Sequence, residues 1–141
     1  MLKNNIHTTN YENTFIEVAA DYKLTKCKMP NLNAEKKTIA AIQFDLVWEH
    51  PYEFTSDDVL FQTYAIKQGL SKSELSAARK EFFSKGQACF RASPLTKTHG
   101  FGVHSNEEGK IALYPLESPE YKKLLKDAKV EKVKAMRTSK K

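Results

Sequence analysis

The segment at residues 106–110 constrains the fold of this chain more than any other. Its sequence, Asn-Glu-Glu-Gly-Lys, is typical of a type I turn followed by a residue in the left-handed conformation. Gly109 occupies that position, and glycine adopts positive φ angles with little steric cost. The segment therefore predicts a β-hairpin with strands at residues 101–105 and 110–116.

The turn also sets the register of the hairpin, so that Val103 faces Leu113. His104 then faces Ala112. One face of the hairpin is uniformly apolar and is formed by Phe101, Val103, Ile111 and Leu113. A shift by one residue would mix apolar and polar side chains on both faces. The opposite face carries Gly100, Gly102, His104, Ala112 and Tyr114, and its small residues predict a shallow, bare surface that a ligand can approach.

Alternating apolar side chains predict three further strands. Residues 14–18 form a short strand, and residues 38–48 form a longer one whose polar face contains Gln43 and Asp45. Residues 88–93 alternate in the same way. Three strands are therefore expected to accompany the hairpin in one sheet.

Three helices are predicted from the residues at their ends. The signals are capping boxes at Thr55 with Asp58 and Ser71 with Glu74, glycines at 69 and 86, and Ser118 followed by Pro119. The first two helices are expected to form a helical hairpin over residues 55–86. The third is expected to run into the C-terminal segment.

The chain has 141 residues, which is enough for one domain with a substantial core. No repeat or linker divides it. We predict a single α+β domain at residues 13–128, with an antiparallel sheet flanked by the helical hairpin and the C-terminal helix. Residues 1–12 are expected to be flexible, and residues 129–141 are expected to form a basic tail.

The net positive charge of the chain comes from its C-terminal end, because basic and acidic residues balance over the rest of the sequence. The formal net charge is +6, and nine Lys or Arg residues against three acidic residues lie between Glu120 and Lys141. Clustered lysines attract phosphate groups, so a nucleic-acid accessory protein acting through this tail is one candidate function. The sequence contains no recognised nucleic-acid-binding motif, and a Lys-rich terminus is more often a solvated end.

The sequence gives no sign of export, membrane insertion or a cofactor. Its first residues lack the apolar core of a signal peptide, and no segment approaches the length that spans a bilayer. Cys27 and Cys89 are far apart and are expected to be free thiols. His99 and His104 fall on opposite strand faces, so no metal site is expected. We expect a cytoplasmic protein without a membrane partner.

The polar residues around the hairpin form the candidate ligand-binding site. Its members are Arg91, Ser93, Lys97, Gly102, His104 and Tyr114. Most of them converge if the strand at 88–93 pairs near the hairpin with its faces aligned. Arg91 has two interpretations, because its guanidinium can hold an anion in two places or can pair with a structural carboxylate such as Glu17 or Asp45.

Four segments of the chain are similar to a known family. They are NTFIEVA at 13–19, EHPYEFTSDDVLF at 49–61, FFSKGQACFRASPLTK at 82–97 and GFGVHSNEEGKIALY at 100–114. The chain resembles a family of short bacterial proteins of unknown function, and GQ-x-C-x-RASPL is the most specific of its motifs. The resemblance implies no activity and no catalytic residues.

Three functions are compatible with these patterns. The first is the binding of a small anionic ligand or peptide on the polar sheet face. The second is an enzyme in which His104 acts as acid or base with Tyr114 and Arg91 as electrostatic partners. The third is the nucleic-acid role of the basic tail.

Overall fold

The structure is a computed structural model of the chain, and it describes residues 2–3, 6–33 and 35–137. The strands are β1 (Leu2–Lys3), β2 (Ile6–His7), β3 (Thr14–Glu17), β4 (Phe101–Ser105), β5 (Ile111–Pro115) and β6 (Glu131–Lys134). The helices are α1 (Ile39–Trp48), α2 (Ser56–Gln68), α3 (Leu75–Phe82), α4 (Pro94–Lys97) and α5 (Pro119–Lys126). The predicted single-domain α+β fold is confirmed.

Four strands form one sheet in the order β5-β4-β3-β6, and β1 pairs with β2 separately. The pairs β4–β5 and β3–β4 are antiparallel, as expected. Strand β6 lies parallel to β3, with Thr14 opposite Glu131 and Glu17 opposite Lys134. The sheet is therefore mixed, and part of the segment expected to form a basic tail is one of its strands.

The hairpin register predicted from the turn is confirmed. Val103 lies opposite Leu113, and His104 lies opposite Ala112. The backbone N–H of Asn106 donates to the carbonyl of Lys110 at 2.9 Å. Gly109 has a φ of 79°, so it occupies the left-handed conformation that the turn requires.

The predicted strand at residues 38–48 is wrong, because this segment forms helix α1. Thr38 caps the helix by accepting a hydrogen bond from the N–H of Ala41 at 3.2 Å. Six of the ten helical residues are buried, and they do not lie on one stripe. A helix buried on most sides loses the 3.6-residue pattern that distinguishes it from a strand.

The predicted strand at residues 88–93 is also wrong. Residues Phe90–Ala92 form a 3₁₀ turn, and Pro94 begins the short helix α4. The hydroxyl of Ser93 caps α4 by accepting from the N–H of Leu95 at 3.1 Å. Phe90 and Leu95 are almost completely buried. The apolar residues of this segment therefore enter the core from a turn and a helix rather than from a strand.

The predicted helix ends are confirmed at most positions. Both hydrogen bonds of the Thr55–Asp58 capping box are present, and α2 ends at Gly69 with a φ of 65°. The next helix begins with a 3₁₀ turn at Lys72–Glu74 and ends at Phe82, before Gly86. Helix α5 starts after Ser118, as expected, but it ends at Lys126 instead of running on into the C-terminal segment.

Both faces of the sheet are covered. The main core packs the predicted apolar hairpin face against α1 and α2, and it includes Ile16, Phe44, Val47, Val59, Phe101, Val103, Ile111 and Leu113. A second cluster on the opposite face contains Phe15, Val18, Tyr121 and Val130. Tyr121 belongs to α5, so this helix lies over the face that carries Gly102 and His104.

The segment before β3 is attached to the N-terminus of α2. The hydroxyl groups of Thr8 and Thr9 each donate to the carboxylate of Asp57 at 2.7 Å. Thr9 is buried, and the side chain of Asn10 accepts from the N–H of Asp57 at 2.8 Å. Among the described residues, no helix is long and apolar enough to cross a membrane.

Candidate functional site

His104 and Tyr114 lie on the same face of the hairpin and share a hydrogen-bonding partner, Tyr52. The Tyr52 hydroxyl lies 2.7 Å from Nδ1 of His104 and 2.8 Å from the Tyr114 hydroxyl. All three side chains are half-buried. Tyr114 is paired with Gly102, which lies two positions before His104 on β4. Alternate residues of a strand share a face, so the side chains of His104 and Tyr114 are on the same face of the sheet. The predicted proximity of these two rings is therefore present.

Tyr52 completes the cluster through an uncommon backbone conformation. Its φ is 61°, in the left-handed region that bulky residues rarely adopt. Its backbone N–H donates to the carbonyl of Ile111 at 2.9 Å, which attaches the loop between α1 and α2 to strand β5. Conformations of this kind persist where the surrounding structure holds them, and they concentrate at functional sites.

No sequence pattern predicted a role for Tyr52. It follows Pro51 in a short loop, and nothing in that pattern predicts a positive φ for a tyrosine. The resemblance to a family of unknown function included this loop, in the segment EHPYEFTSDDVLF. Membership in that segment is the one sequence feature that draws attention to Tyr52.

His104 and Tyr52 both favour their uncharged forms. Burial lowers the pKa of His104, and the opposing effect of the Asp127 carboxylate is smaller. Burial also raises the pKa of Tyr52, and its hydrogen bond with Tyr114 raises it further. An unprotonated imidazole therefore lies beside the protonated phenol of Tyr52 near pH 7.

The three groups form a hydrogen-bonded chain with two possible directions. Tyr52 has one hydroxyl proton, so it donates either to His104 or to Tyr114 and accepts from the other. In one direction Nδ1 of His104 accepts and its Nε2 carries the proton. In the other direction Nδ1 donates and Nε2 is a free acceptor. The arrangement can therefore relay a proton between the imidazole and the Tyr114 hydroxyl.

The surface beside Gly102 is not bare, contrary to expectation. Gly102 is buried, and a Cβ atom at this position would lie 2.4 Å from Cζ of Phe15 and 2.8 Å from Cε2 of Tyr121. The two rings meet edge to face, with their centroids 4.8 Å apart, and fill the space above residue 102. Only glycine leaves room for them there. Gly102 therefore provides room for the second core cluster rather than for a ligand.

Arg91 does not join His104. Its Nε donates to the backbone carbonyl of Lys134 at 2.7 Å, and its own carbonyl accepts from the N–H of Met136. It lies beside β6, which is separated by β3 from the strand that carries His104. The predicted convergence is wrong because it depended on a strand at residues 88–93 that does not exist.

The predicted structural ion pairs of Arg91 are also not the ones found. Glu17 pairs with Lys134, with Oε1 3.5 Å from Nζ, and Asp45 pairs with Lys37 at 2.5 Å. Arg91 instead binds a main-chain oxygen at the edge of the sheet. Its role in the described contacts is to hold β6 against the turn at residues 90–92.

Ser93 caps the start of helix α4, and Lys97 is the last residue of this helix. Both lie away from the hairpin face that carries His104. Ser93 is buried, and its hydroxyl donates to Oε1 of Gln43 at 2.6 Å while it caps α4. Lys97 is half-buried at the last residue of the same helix. The six predicted residues therefore fall into two groups, with Gly102, His104 and Tyr114 in the hairpin and Arg91, Ser93 and Lys97 near α4.

Part of the positive charge of the C-terminal segment is used within the fold. The Lys132 ammonium donates to the backbone carbonyls of Asp127 and Val130, and Lys134 pairs with Glu17.

Nδ1 of His99 lies 2.7 Å from the carbonyl oxygen of Lys28. Within the described part of the chain, no group of three His, Cys, Asp or Glu side chains could hold a metal ion.

The two cysteines are unpaired, as predicted. The thiol of Cys27 donates to Oε2 of Glu117 across 3.6 Å, and burial, followed by the charge of Glu117, raises its pKa. The sulfur of Cys89 lies 3.6 Å from the hydroxyl of Tyr11. Burial and Cys89 raise the pKa of Tyr11, whereas Arg91 opposes this shift.

Comparison with known proteins agrees with the resemblance found in the sequence. No curated protein and no solved structure matches the chain. The family described as a family of unknown function, DUF6157, matches residues 6–141. Because this match covers almost the whole chain, the protein belongs to the DUF6157 family.

Proposed function

We propose that the hairpin face around His104 binds a small anionic ligand such as a carboxylate. The observation that carries this proposal is the single Tyr52 hydroxyl placed within hydrogen-bonding distance of both His104 and Tyr114. When His104 is protonated, its Nδ1–H donates to Tyr52 and Tyr52 donates to Tyr114, which leaves two donors for an oxyanion, Nε2–H of His104 and the hydroxyl of Tyr114. The proposed site consists of Tyr52, His104 and Tyr114, without Arg91.

The anion supplies the charge that the free site lacks. The half-buried imidazole of His104 is neutral near pH 7, because protonation there costs desolvation energy. A bound anion offsets that cost, so we expect His104 to take up a proton when the anion binds. Affinity therefore increases as the pH falls through the range in which His104 becomes protonated.

A second candidate is general acid-base catalysis by the same three groups. It is favoured by the continuous hydrogen-bonded chain, which lets His104 exchange a proton while Tyr52 and Tyr114 reorient. This candidate requires a substrate that contacts Nε2 of His104. The nucleic-acid candidate has less support, because Lys132 and Lys134 are engaged within the fold. We place either activity in the bacterial cytoplasm, as expected from the sequence.

The test is a titration with sulfate, which does not itself change protonation near neutral pH. Nuclear magnetic resonance follows the ring signals of His104 at about pH 5.5 and about pH 8, on either side of the ordinary histidine pKa. We expect sulfate to shift these signals toward the protonated form, with tighter binding at the lower pH. Isothermal titration calorimetry measures sulfate affinity in the variants. His104→Gln is expected to lose sulfate binding, whereas His50→Gln, on an exposed loop, should bind like the unmodified protein.

The result against the proposal is equally specific. If sulfate leaves the His104 signals unchanged at both pH values, or if His104→Gln binds sulfate as well as the unmodified protein, the site is not on this face. A His104 signal that responds to pH but not to sulfate would leave acid-base chemistry as the surviving candidate.

A further inference from the structure

A cavity of about 380 Å³ lies between α1, α2 and the segment after α3. It is lined by Gln43 from α1, by Thr63, Tyr64 and Lys67 from α2, and by Phe82 and Gln87. It lies on the helical side of the sheet, whereas His104 faces α5. The cavity is therefore distinct from the proposed hairpin site.

The inner wall of the cavity presents an unused hydrogen-bond donor. Gln43 is only 3% exposed, and its Oε1 accepts from the hydroxyl of Ser93 at 2.6 Å. The Ser93 hydroxyl accepts from the N–H of Leu95 and donates its own proton to Gln43, which sets the orientation of the amide. Nε2 of Gln43 then donates to none of the described residues.

This donor is not fully enclosed by the protein. It opens onto the cavity that Gln43 lines, where water or a bound acceptor can take its hydrogen bond. The other buried polar residue of the inner wall, Thr63, is satisfied, because its hydroxyl donates to the carbonyl of Val59 at 2.7 Å. Gln43 therefore offers one donor to whatever occupies the cavity.

The outer wall combines aromatic surface with one cation. The rings of Tyr64 and Phe82 lie with their centroids 4.9 Å apart, and Tyr64 is 40% exposed. Lys67 is exposed and also lines the cavity. Its ammonium makes only a long contact of 3.4 Å to the carbonyl of Lys37, and it has no carboxylate partner among the described residues.

We propose that this cavity binds a small aromatic carboxylate that carries a carbonyl group at its other end. The carbonyl oxygen accepts the hydrogen bond from Nε2 of Gln43, and the ring packs against Tyr64 and Phe82. The carboxylate lies at the mouth, where Lys67 neutralises it. Sites of this type are largely apolar with a few placed polar groups, as found here.

The experiment compares three probes that differ in one group each. Para-acetylbenzoate has both the carbonyl and the carboxylate, para-ethylbenzoate lacks the carbonyl, and para-methylacetophenone lacks the carboxylate. Nuclear magnetic resonance on the isotope-labelled full chain follows the side-chain amide of Gln43 and the rings of Tyr64 and Phe82. We expect para-acetylbenzoate to shift all three and to bind with a Kd of about 1 mM, as suits a molecule of its size.

Each missing group is expected to weaken binding. Loss of the carbonyl should cost about fivefold in affinity, which is typical of one neutral hydrogen bond. Loss of the carboxylate should cost about threefold, because the Lys67 contact is exposed to solvent. Equal affinities for the three probes would show that neither polar group is recognised, and an unshifted Gln43 amide would show that the probe does not reach this donor; either result overturns the proposal.

Variants provide an independent check. Gln43→Met keeps the length of the side chain but removes the donor, so it should make para-acetylbenzoate and para-ethylbenzoate bind alike. Lys67→Met should reduce the affinity for both benzoates, whereas the control Lys72→Met, on an exposed turn, should not. If Gln43→Met fails to fold, the probe comparison on the unmodified protein still decides the outcome.

Discussion

The hydroxyl oxygen of Tyr52 lies 2.7 Å from Nδ1 of His104, although 52 positions separate the two residues. The contact joins the loop between α1 and α2 to the central hairpin, and Tyr114 extends it by a second bond of 2.8 Å. Tyr52 reaches this place with a left-handed backbone. A bulky residue held in that conformation, with its polar end between two hydrogen-bonding side chains, marks a site that the rest of the fold stabilises.

The first prediction concerns the hydroxyl of Tyr52. Tyr52→Phe leaves His104 and Tyr114 without their shared partner, so the free energy of unfolding should fall by about 1 to 2 kcal/mol. Urea unfolding measures this change. The control is Tyr64→Phe, because the Tyr64 hydroxyl makes no hydrogen bond with any described residue, and its effect should be within about 0.5 kcal/mol. Equal losses in the two variants would contradict the role of Tyr52.

The second prediction concerns the pH dependence of stability. The pKa of His104 is lowered in the folded state from its ordinary value of 6.5. The unfolded chain therefore binds this proton more readily than the folded protein does. The free energy of unfolding should decrease as the pH falls through 6.5, and this contribution should level off below the pKa of the folded state.

Unfolding in urea across this pH range tests the linkage. His104→Gln should flatten the slope between about pH 7.5 and the lower limit of the window, because glutamine does not titrate. His50→Gln, which retains His104, should keep the slope. A slope unaffected by His104→Gln would assign it to other groups.

The third prediction concerns the two rings above Gly102. Gly102→Ala places a methyl group 2.4 Å from Phe15 and 2.8 Å from Tyr121, so it should destabilise the protein by about 1 to 3 kcal/mol. The matched control is Gly86→Ala, whose added Cβ would lie at an ordinary 3.6 Å from His7. Thermal unfolding should separate the two variants clearly. A Gly102→Ala protein as stable as the unmodified one would show that Phe15 and Tyr121 can move aside without a loss in the free energy of unfolding.

The fourth prediction concerns the C-terminal segment. Removing all residues after Ala128 deletes β6 with Val133, which packs against the main core, and also the buried Ala135 that follows the strand. We expect a loss of more than about 3 kcal/mol in the free energy of unfolding, a large part of the stability of a domain. Circular dichroism during urea unfolding measures it.

A shorter truncation is the control for β6. Removing only residues 138–141 deletes Lys140 and Lys141 and retains the whole strand, so stability should be nearly unchanged. If the protein without residues 138–141 is as unstable as the protein truncated after Ala128, the loss does not come from β6. The same two proteins test nucleic-acid binding, since a salt-sensitive affinity that survives removal of residues 138–141 does not depend on the last lysines.

The fifth prediction concerns the reactivity of Cys27. Its thiol is kept protonated by burial and by the carboxylate of Glu117. Glu117→Gln should therefore accelerate alkylation of Cys27 at about pH 8, because the thiolate is the reactive form. The rate is measured in a Cys89→Ser background so that one thiol reports. An unchanged rate would show that the neighbouring carboxylate does not control this thiol.

The local elements with strong end signals could be predicted from the sequence. The turn around Gly109, the capping box at Thr55 and the Ser118–Pro119 start of α5 depend on residues only a few positions apart. Their backbone preferences act without help from the rest of the fold. The hairpin register followed from the turn, and with it the shared face of His104 and Tyr114.

The two wrong strand predictions concern segments whose apolar pattern is set by burial on several sides. Residues 38–48 and 88–93 have apolar residues that suit a strand, yet both are shaped by packing on several sides. A buried helix and a buried strand show similar apolar runs, so period alone does not separate them. The misplaced strand at 88–93 then brought Arg91 into the predicted site.

The sequence by itself determined the hairpin, the capped helices and the two polar rings on one strand face, because neighbouring residues specify each of them. Only the tertiary structure decided that β6 lies parallel to β3, that Phe15 and Tyr121 close the space at Gly102, and that Tyr52 joins His104 to Tyr114. These features depend on contacts between residues far apart in the chain. Such contacts form where burial of the whole core is most favourable, and no local pattern specifies them.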